Sequence, residues 1–419
     1  MIDLARLRDE ADYRVGIERK RVAAGLLDDV LATDVERREL MARVEALRAQ
    51  QNAASKAIGK ASPEERPAKI VAATELKEQL AALEPDLAAL DERVRALALQ
   101  VPNPADASVP DGGEDDGEVL RVVGDTVEAP ALDHAAFGAA MGFVDTEKAV
   151  EMSGSRFAYV MREAVLVELA LVQWVMRILV REGFTPVAPP VLVREHAMEE
   201  AGFFPTDRSQ VYEVDGGELF LVGTSEVPLS ALHRGEILAA DDLPLRYAGV
   251  SSNFRREAGT YGKDTSGIFR VHQFDKVEMF SYCHPDTSWE EHARILAIEE
   301  EIYGGLGLPY RVVSIAAGDL GAAAAKKYDL EAWLPSEGRY RELTSCSNYL
   351  DFSARRLGTR LRQDTGTRLV HTLNGTACAV SRTLVFLFEH YQEPDGSFRV
   401  PAVLQPFLGG LEVIDAPKD

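Results

Sequence analysis

The chain has 419 residues, with 46% hydrophobic and 27% charged side chains, enough to build two or three domains with a sizeable core. Its 68 carboxylates outnumber its 46 Lys and Arg, a net charge of −22. That excludes a generally basic nucleic-acid binder and confines any polyanion contact to a local patch. Three cysteines, Cys283, Cys346 and Cys378, are too widely spaced for a Cys-x-x-Cys pair. Their odd number argues against a disulfide scaffold, which fits a reducing cytoplasm. Met1 to Glu10 carries Asp3, Arg6, Arg8, Asp9 and Glu10 and has no leader-like apolar core. The greasiest run, 164–180, is interrupted by Glu168, Gln173 and Arg177, so no membrane span is expected.

Residues 1–101 are rich in Ala, Leu, Glu and Arg, all good helix formers. Two heptad tracks run through them. The first is Leu40, Val44, Leu47, Gln51, Ala54, Ile58. The second is Leu76, Leu80, Leu83, Leu87, Leu90, Val94, Leu97, Val101. A stripe repeating every 3.5 residues needs another helix to cover it. Gly59 and Pro63, with Pro67 beyond, punctuate the gap. The expected product is a long antiparallel helical hairpin, with Pro85 marking a kink or local break. Residues 43–69 hold six Lys and Arg against three Glu. This basic tip suits a polyanion, and it also suits an ordinary solvated coiled-coil surface.

Residues 102–117 are rich in Pro, Gly and acid and read as a linker or exposed loop. The division expected is a helical arm at 1–105, a linker at 106–117 and a mixed domain at 118–419. In that domain 164–182 has a helical pattern. Strand-like runs follow at 187–193, 219–222, 245–250, 268–274, 277–282 and 310–315, with helical patterns near 226–239, 287–305 and 377–391. No βαβ repeat or Gly-x-Gly-x-x-Gly is visible. The fold class expected is α+β, a mostly antiparallel sheet flanked by helices.

Four clusters carry chemistry. Residues 254–278 read as two strands joined by a Gly-rich loop of about a dozen residues. Arginines at the end of one strand and the start of the next would reach the same space, where guanidinium groups bind phosphate oxygens. The same residues also suit a surface hairpin with ion pairs. Thr224, Ser225 and Glu226 follow an apolar strand. They suit either a ligand site or a helix cap with Glu in the first turn. Arg341 to Ser345 alternates like a strand; Glu342 and Ser345 offer oxygens to a hard cation such as Mg²⁺, or belong to a half-buried strand. Residues 373–382 read as a strand, a Gly turn and a small-residue helix, from which Arg382 reaches a phosphate or snorkels to solvent. No His spacing suggests a metal centre.

These pieces, in this order, resemble the bacterial-type seryl-tRNA synthetases, class II aminoacyl-tRNA synthetases, over essentially the whole length. Residues Phe184 to Pro190 resemble class II motif 1, Phe254 to Glu257 with His272 to Glu278 motif 2, and Gly375 to Arg382 motif 3. Thr224 to Glu226 and Glu342 to Ser345 resemble the serine-binding and ATP/Mg²⁺ segments, and the hairpin resembles the tRNA-binding arm. The resemblance implies a class II antiparallel sheet and serylation of tRNA(Ser) through a seryl-adenylate, extended to tRNA(Sec) in a host that has one. It implies serine contacts from Thr224, Ser225, Glu226, Glu278 and Thr376, with Arg255 and Arg382 as catalytic cations. ATP would meet Arg255, Arg256, Glu257, Val271, Phe274 and Arg382. It would also meet Glu342, Leu343, Thr344 and Ser345, of which Glu342 and Ser345 would hold Mg²⁺. A cytoplasmic homodimer without membrane contact is implied as well. Thr376, Ser381 and the stretch 248–253 depart from the commonest family pattern, which leaves room for a paralog. Two other readings remain. An activating paralog that loads a carrier protein would lack the arm; an inactive RNA-binding paralog would lose Arg255, Glu278 or Arg382.

Overall fold

The computed structural model describes every residue except Thr260, Tyr261, Lys263, Thr265 and Asp419. It resolves into two units, Met1–Pro102 and Asn103–Asp419. No helix among the described residues is long and apolar enough to cross a membrane.

The first unit begins with two short helices, α1 (Leu4–Asp9) and α2 (Ala11–Glu18). The hairpin of α3 (Leu26–Gly59) and α4 (Arg66–Leu99) follows. Every position of both heptad tracks is buried or half-buried, while most of their neighbours are exposed. Burial of one stripe, not propensity alone, therefore sets the pairing. Pro67 enters α4 in its first turn, where a missing N–H is harmless. Helix α4 runs unbroken through Pro85, so the expected break does not occur. Arg37 with Asp91 (3.4 Å) and Arg48 with Glu84 (2.9 Å) bridge the two helices. At the base, the fully buried Asp34 accepts from Arg8 (2.5 Å) and Arg37 (2.8 Å).

The second unit is built on eight strands. They are β1 (Glu118–Val123), β2 (Thr185–Val187), β3 (Leu245–Phe254), β4 (Gln273–Cys283), β5 (Tyr310–Ser314), β6 (Lys326–Leu334), β7 (Arg339–Leu350) and β8 (His371–Ala379). Their order is β1-β5-β6-β7-β8-β4-β3-β2, antiparallel except for the β2–β3 pair. Helices α5 (Glu163–Arg181), α6 (Glu226–Ser230), α7 (Ser288–Gly305) and α8 (Val380–Tyr391) accompany them. The main apolar cluster joins α5, α7 and α8 to one face of the sheet, through residues such as Val175, Ile295, Ile302, Phe386, Val277 and Met279. The opposite face carries polar side chains around Glu278, bordered by a second apolar cluster that includes Phe280, Tyr282 and Leu229.

Several expectations change. The segment read as a linker at 106–117 belongs with the second unit. Ala105 and Val109 are buried with Val313, Ile315 and Leu320, and the Asn103 side chain donates to the carbonyls of Ala323 and Tyr349. The runs 268–274 and 277–282 do not form two strands. Residues 268–272 are irregular and β4 begins at Gln273. The pattern at 226–239 yields only the five-residue α6. No turn forms at Gly375, which lies inside β8. A Cβ there would sit 2.4 Å from Ile295 Cγ2 on α7, so glycine is what lets the helix lie against the sheet.

Candidate active site

The polar face of the sheet carries a cleft of about 220 Å³. Strand period explains its floor. Phe274, Lys276 and Glu278 alternate along β4 toward the cleft, while Val277 and Met279 alternate into the apolar cluster. Register brings the neighbours in: Glu278 lies opposite Thr376 of β8 and Gly249 of β3. Gly249 admits α6, since a Cβ there would come within 2.8 Å of Ser225 Oγ and 2.9 Å of Leu229.

Glu278 is fully buried and saturated by partners. Its Oε1 accepts from Asn374 Nδ2 (2.8 Å) and Thr376 Oγ1 (3.2 Å). Its Oε2 accepts from Thr224 Oγ1 (3.0 Å) and pairs with the Lys276 ammonium. Lys276 also donates to Thr224 Oγ1 at 2.9 Å. Asn374 lines the same pocket, and its buried Oδ1 has no partner among the described residues. The Glu226 carboxyl, 7% exposed, is lifted to about 7 by burial and by the nearby Glu278, against opposing pulls from Tyr349, Lys276 and Arg255.

At the other end stand two arginines. Arg255 donates from Nε to the Gly223 carbonyl (3.1 Å), and its guanidinium lies 5.3 Å from the Phe274 ring centroid. Burial and the neighbouring Arg382 both weaken its hold on its proton, the signature of cations gathered without enough counter-charge. Arg382 lies 5.1 Å from the Phe269 ring centroid and donates to the Glu342 carbonyl (3.2 Å). Burial alone would raise the Glu342 carboxyl, but Arg382, Lys327, Arg255 and Arg270 outweigh it and hold it below its ordinary value. Its side chain is nonetheless 49% exposed, with one carboxylate oxygen 3.7 Å from Arg382. Arg270 reaches Glu257 Oε2 (2.6 Å) and Asp264 (3.3 Å), which ties the two legs of the connection after β3 together. Glu257 itself is in the left-handed region, φ +51°.

The cleft thus gathers Thr224, Glu226, Arg255, Glu257, Val271, Phe274 and Glu278. It also gathers Glu342, Leu343, Thr344, Ser345, Thr376 and Arg382. Two expected members fall outside it. Arg256 is exposed, and Ser225 is buried beneath α6 with its Oγ unpartnered. Within the lining, Thr344 sends its hydroxyl the other way, to Glu299 on α7 (2.8 Å). The capping reading of 224–226 is not met: Ser225 holds the N-cap position without a side-chain cap bond, while Thr224 Oγ1 before it accepts from the Glu226 N–H (3.3 Å). Lys276, Asn374 and Tyr349 line the cleft without having been singled out. Lys276 was legible as the residue two before Glu278 on one strand face; Asn374 needed the β8 register. Of the loop read between the two strands, Thr260, Tyr261, Lys263 and Thr265 lie outside the described residues.

No group of three or more His, Cys, Asp or Glu among the described residues is placed to hold a metal ion. Glu342 and Ser345 supply two hard oxygens at the arginine end, an incomplete set for octahedral Mg²⁺ that a nucleotide's phosphate oxygens would complete.

Comparison with known proteins agrees with this arrangement. Residues 1–105 match the family model for the seryl-tRNA synthetase N-terminal domain, and 210–391 match the class II tRNA synthetase core domain of the G, H, P, S and T enzymes. The chain is 47% identical over 421 residues to serine–tRNA ligase 1 of Streptomyces avermitilis, covering 99% of each. It is 47% identical over 422 residues to the serine–tRNA ligase of Mycobacterium tuberculosis, again covering 99% of each. Among solved structures it is similar to the Pyrococcus horikoshii seryl-tRNA synthetase complexed with ATP. The TM-score is 0.92 and the identity 36%, with 100% of both chains covered. It is also similar to the cytoplasmic serine–tRNA ligase of Naegleria fowleri in complex with AMP. There the TM-score is 0.86 and the identity 31%, with 98% and 96% covered.

Proposed function

The chain belongs to the seryl-tRNA synthetase family, and from that premise we propose how its own residues divide the work of joining serine to tRNA at the expense of ATP. The observation that carries the reading is one cleft with two chemically opposite ends: Arg255 and Arg382 at one, the hydrogen-bonded Glu278 beside Glu226 at the other.

Serine's carboxylate attacks the α-phosphorus of ATP, pyrophosphate leaves with its electron pair, and seryl-adenylate remains. The protein's task is to align the reactants and neutralise charge. Arg255 holds the α-phosphate and the serine carboxylate's approach, and Arg382 takes the terminal phosphates. Phe274 gives the adenine a stacking face, and Glu257 accepts from its amino group. Val271 and Leu343 shape the apolar wall. Glu342 and Ser345 are the residues fitted to Mg²⁺, which when bound would neutralise phosphate charge. Glu226 receives the substrate ammonium. Glu278, Thr376 and Thr224 surround the hydroxyl and reject alanine, which would leave buried polar groups unpaired. The tRNA's terminal hydroxyl then takes the seryl group, and AMP leaves.

The basic tip of the α3–α4 hairpin would meet tRNA(Ser) phosphates, and tRNA(Sec) in a host that has it. Helix α5 exposes Val165, Leu166, Leu169 and Val180, an apolar stripe suited to a homodimer. Three free, buried cysteines suit the cytoplasm. The test is serine-dependent exchange of pyrophosphate into ATP, followed by charging of purified tRNA(Ser). No exchange would favour the inactive RNA-binding paralog. Exchange without charging would favour the carrier-loading one.

A further inference from the structure

We propose that Lys276 is a positioning residue for serine selection: its ammonium ties Glu278 to Thr224, so that Glu278 Oε1 alone faces the substrate hydroxyl. This deepens the serine–tRNA ligase reading and rests on it.

Three observations carry it. Lys276 is 6% exposed and, among the described residues, bonds to Thr224 Oγ1 (2.9 Å) and to Glu278 Oε2. That occupies Oε2 from two sides, because Thr224 Oγ1 also donates to it (3.0 Å). A carboxylate with one oxygen tied off presents the other in a fixed direction. Oε1 is bordered by Asn374 Nδ2 (2.8 Å) and by Thr376 Oγ1, the longest of these contacts at 3.2 Å. The Thr376 hydroxyl is therefore the partner a substrate O–H most readily replaces. Asn374 Oδ1, buried and unpartnered, lies beside it as a second acceptor.

The charge balance points the same way. The groups facing Glu278 are Lys276, Glu226, Arg255, Tyr349 and, from α7, Glu299, with the hydroxyls of Thr224 and Thr376 and the Asn374 amide. Arg255 is committed to the other end of the cleft. Lys276 is thus the cation bonded to Glu278. Without it, two buried carboxyls, Glu226 and Glu278, would share the serine end with no ammonium bonded to Glu278. Glu278 Oε2 then loses the contact that ties it off, Oε1 loses its fixed direction, and the distinction between a hydroxyl and a methyl is lost.

The test uses the full-length chain. Lys276→Met keeps the stem and removes the charge. Serine kcat/KM in pyrophosphate exchange is expected to fall about 100-fold, the scale of breaking one buried pair. ATP affinity should stay within about threefold, and the serine-to-alanine ratio of kcat/KM should drop by about tenfold or more. The pH profile of serine kcat/KM should change in the variant, because the serine end then keeps its carboxyls and loses its ammonium. Lys276→Ala should recover serine-specific exchange when ethylamine is added, since a small ammonium can refill the vacated space. Lys276→Met with an unchanged serine-to-alanine ratio and pH profile overturns the proposal. So does a Lys276→Ala protein, folded or not at the outset, in which ethylamine restores neither exchange nor the ratio. A wild-type chain that exchanges no pyrophosphate with serine removes the functional reading itself; a failure confined to the variants removes only the role of Lys276.

Discussion

Glu226 makes a pH experiment decisive. Its carboxyl is lifted from an ordinary 4.5 to about 7 by burial, then by Glu278. The folded chain therefore keeps a proton that the unfolded chain sheds above pH 4.5. Stability must fall as pH rises through the window from 4.5 to 7, and the loss should level off at about 3 kcal/mol above pH 8. Glu226→Gln, neutral at every pH, should be more stable than wild type by about that amount at pH 8 and nearly equal to it at pH 5. Serine binding should run the opposite way. The substrate ammonium needs the ionised carboxylate, whose share rises about tenfold between pH 6 and pH 8 for a group titrating near 7. The serine KM should therefore fall about tenfold over that range, with release of a proton on binding. Urea denaturation at both pH values and KM from pyrophosphate exchange measure the two arms. If the Glu226→Gln gain is the same at pH 5 and pH 8, or the serine KM is flat from 6 to 8, the assignment of Glu226 to the ammonium is wrong. A stabilising substitution that abolishes binding is the expected signature of a site that holds charge in a dry place.

Other consequences follow from particular contacts. Gly375→Ala drives a Cβ to 2.4 Å from Ile295 and 3.0 Å from Glu299, and should cost about 1–3 kcal/mol by urea titration. Asp34→Ala leaves Arg8 and Arg37 without their shared carboxylate. It should lower the stability of the first unit by about 3 kcal/mol while leaving pyrophosphate exchange intact. Glu342→Gln should raise the Mg²⁺ concentration for half-maximal exchange by about tenfold or more, and an unaltered requirement would take Glu342 out of the metal's coordination. Deleting residues 35–95 should spare serine-dependent exchange and abolish tRNA charging, whereas normal charging by that truncate would remove the arm from the mechanism.

The parts of the fold that were legible in the sequence are those whose cause is local. The two heptad tracks specify a paired stripe whatever surrounds them; α3 and α4 end within a residue or two of the tracks, although both begin well before the first track residue. Position period on β4 likewise places Glu278 and Phe274 on one face. The misses arise where tertiary contact decides. Gly375 looks like a turn because glycine is permissive, yet here it serves the close approach of α7 and the strand continues. Ser225 looks like a cap or ligand, but Gly249 lets α6 settle so closely that its hydroxyl is sealed off. Residues 102–117 have a linker's composition. Three of them, Asn103, Ala105 and Val109, are enough to fasten the segment to the second unit. Arg256 beside Arg255 shows the limit of motif matching: just past the end of β3, Arg255 lines the cleft while Arg256 is exposed.

The two faces of the sheet hold a comparison that bears on Lys276. Glu299 on α7 and Glu278 on β4 are both fully buried carboxyls, one on each side. Glu299 receives only the Thr344 hydroxyl (2.8 Å), its Oε1 has no partner, and burial raises it well above its ordinary value. No ammonium or guanidinium reaches it among the described residues, so nothing offsets the burial that disfavours its charged form. Glu278 differs in one respect that chemistry can use: an ammonium and three neutral donors converge on it. Burial is common to both and cannot by itself make a recognition site, because a desolvated acid simply keeps its proton. The lysine two residues along the same strand converts the second acid into an acceptor of fixed direction. If Lys276→Met left Glu278 without a cation, as Glu299 is, Oε2 would no longer be tied off, and the selection of a hydroxyl over a methyl would disappear with the ammonium.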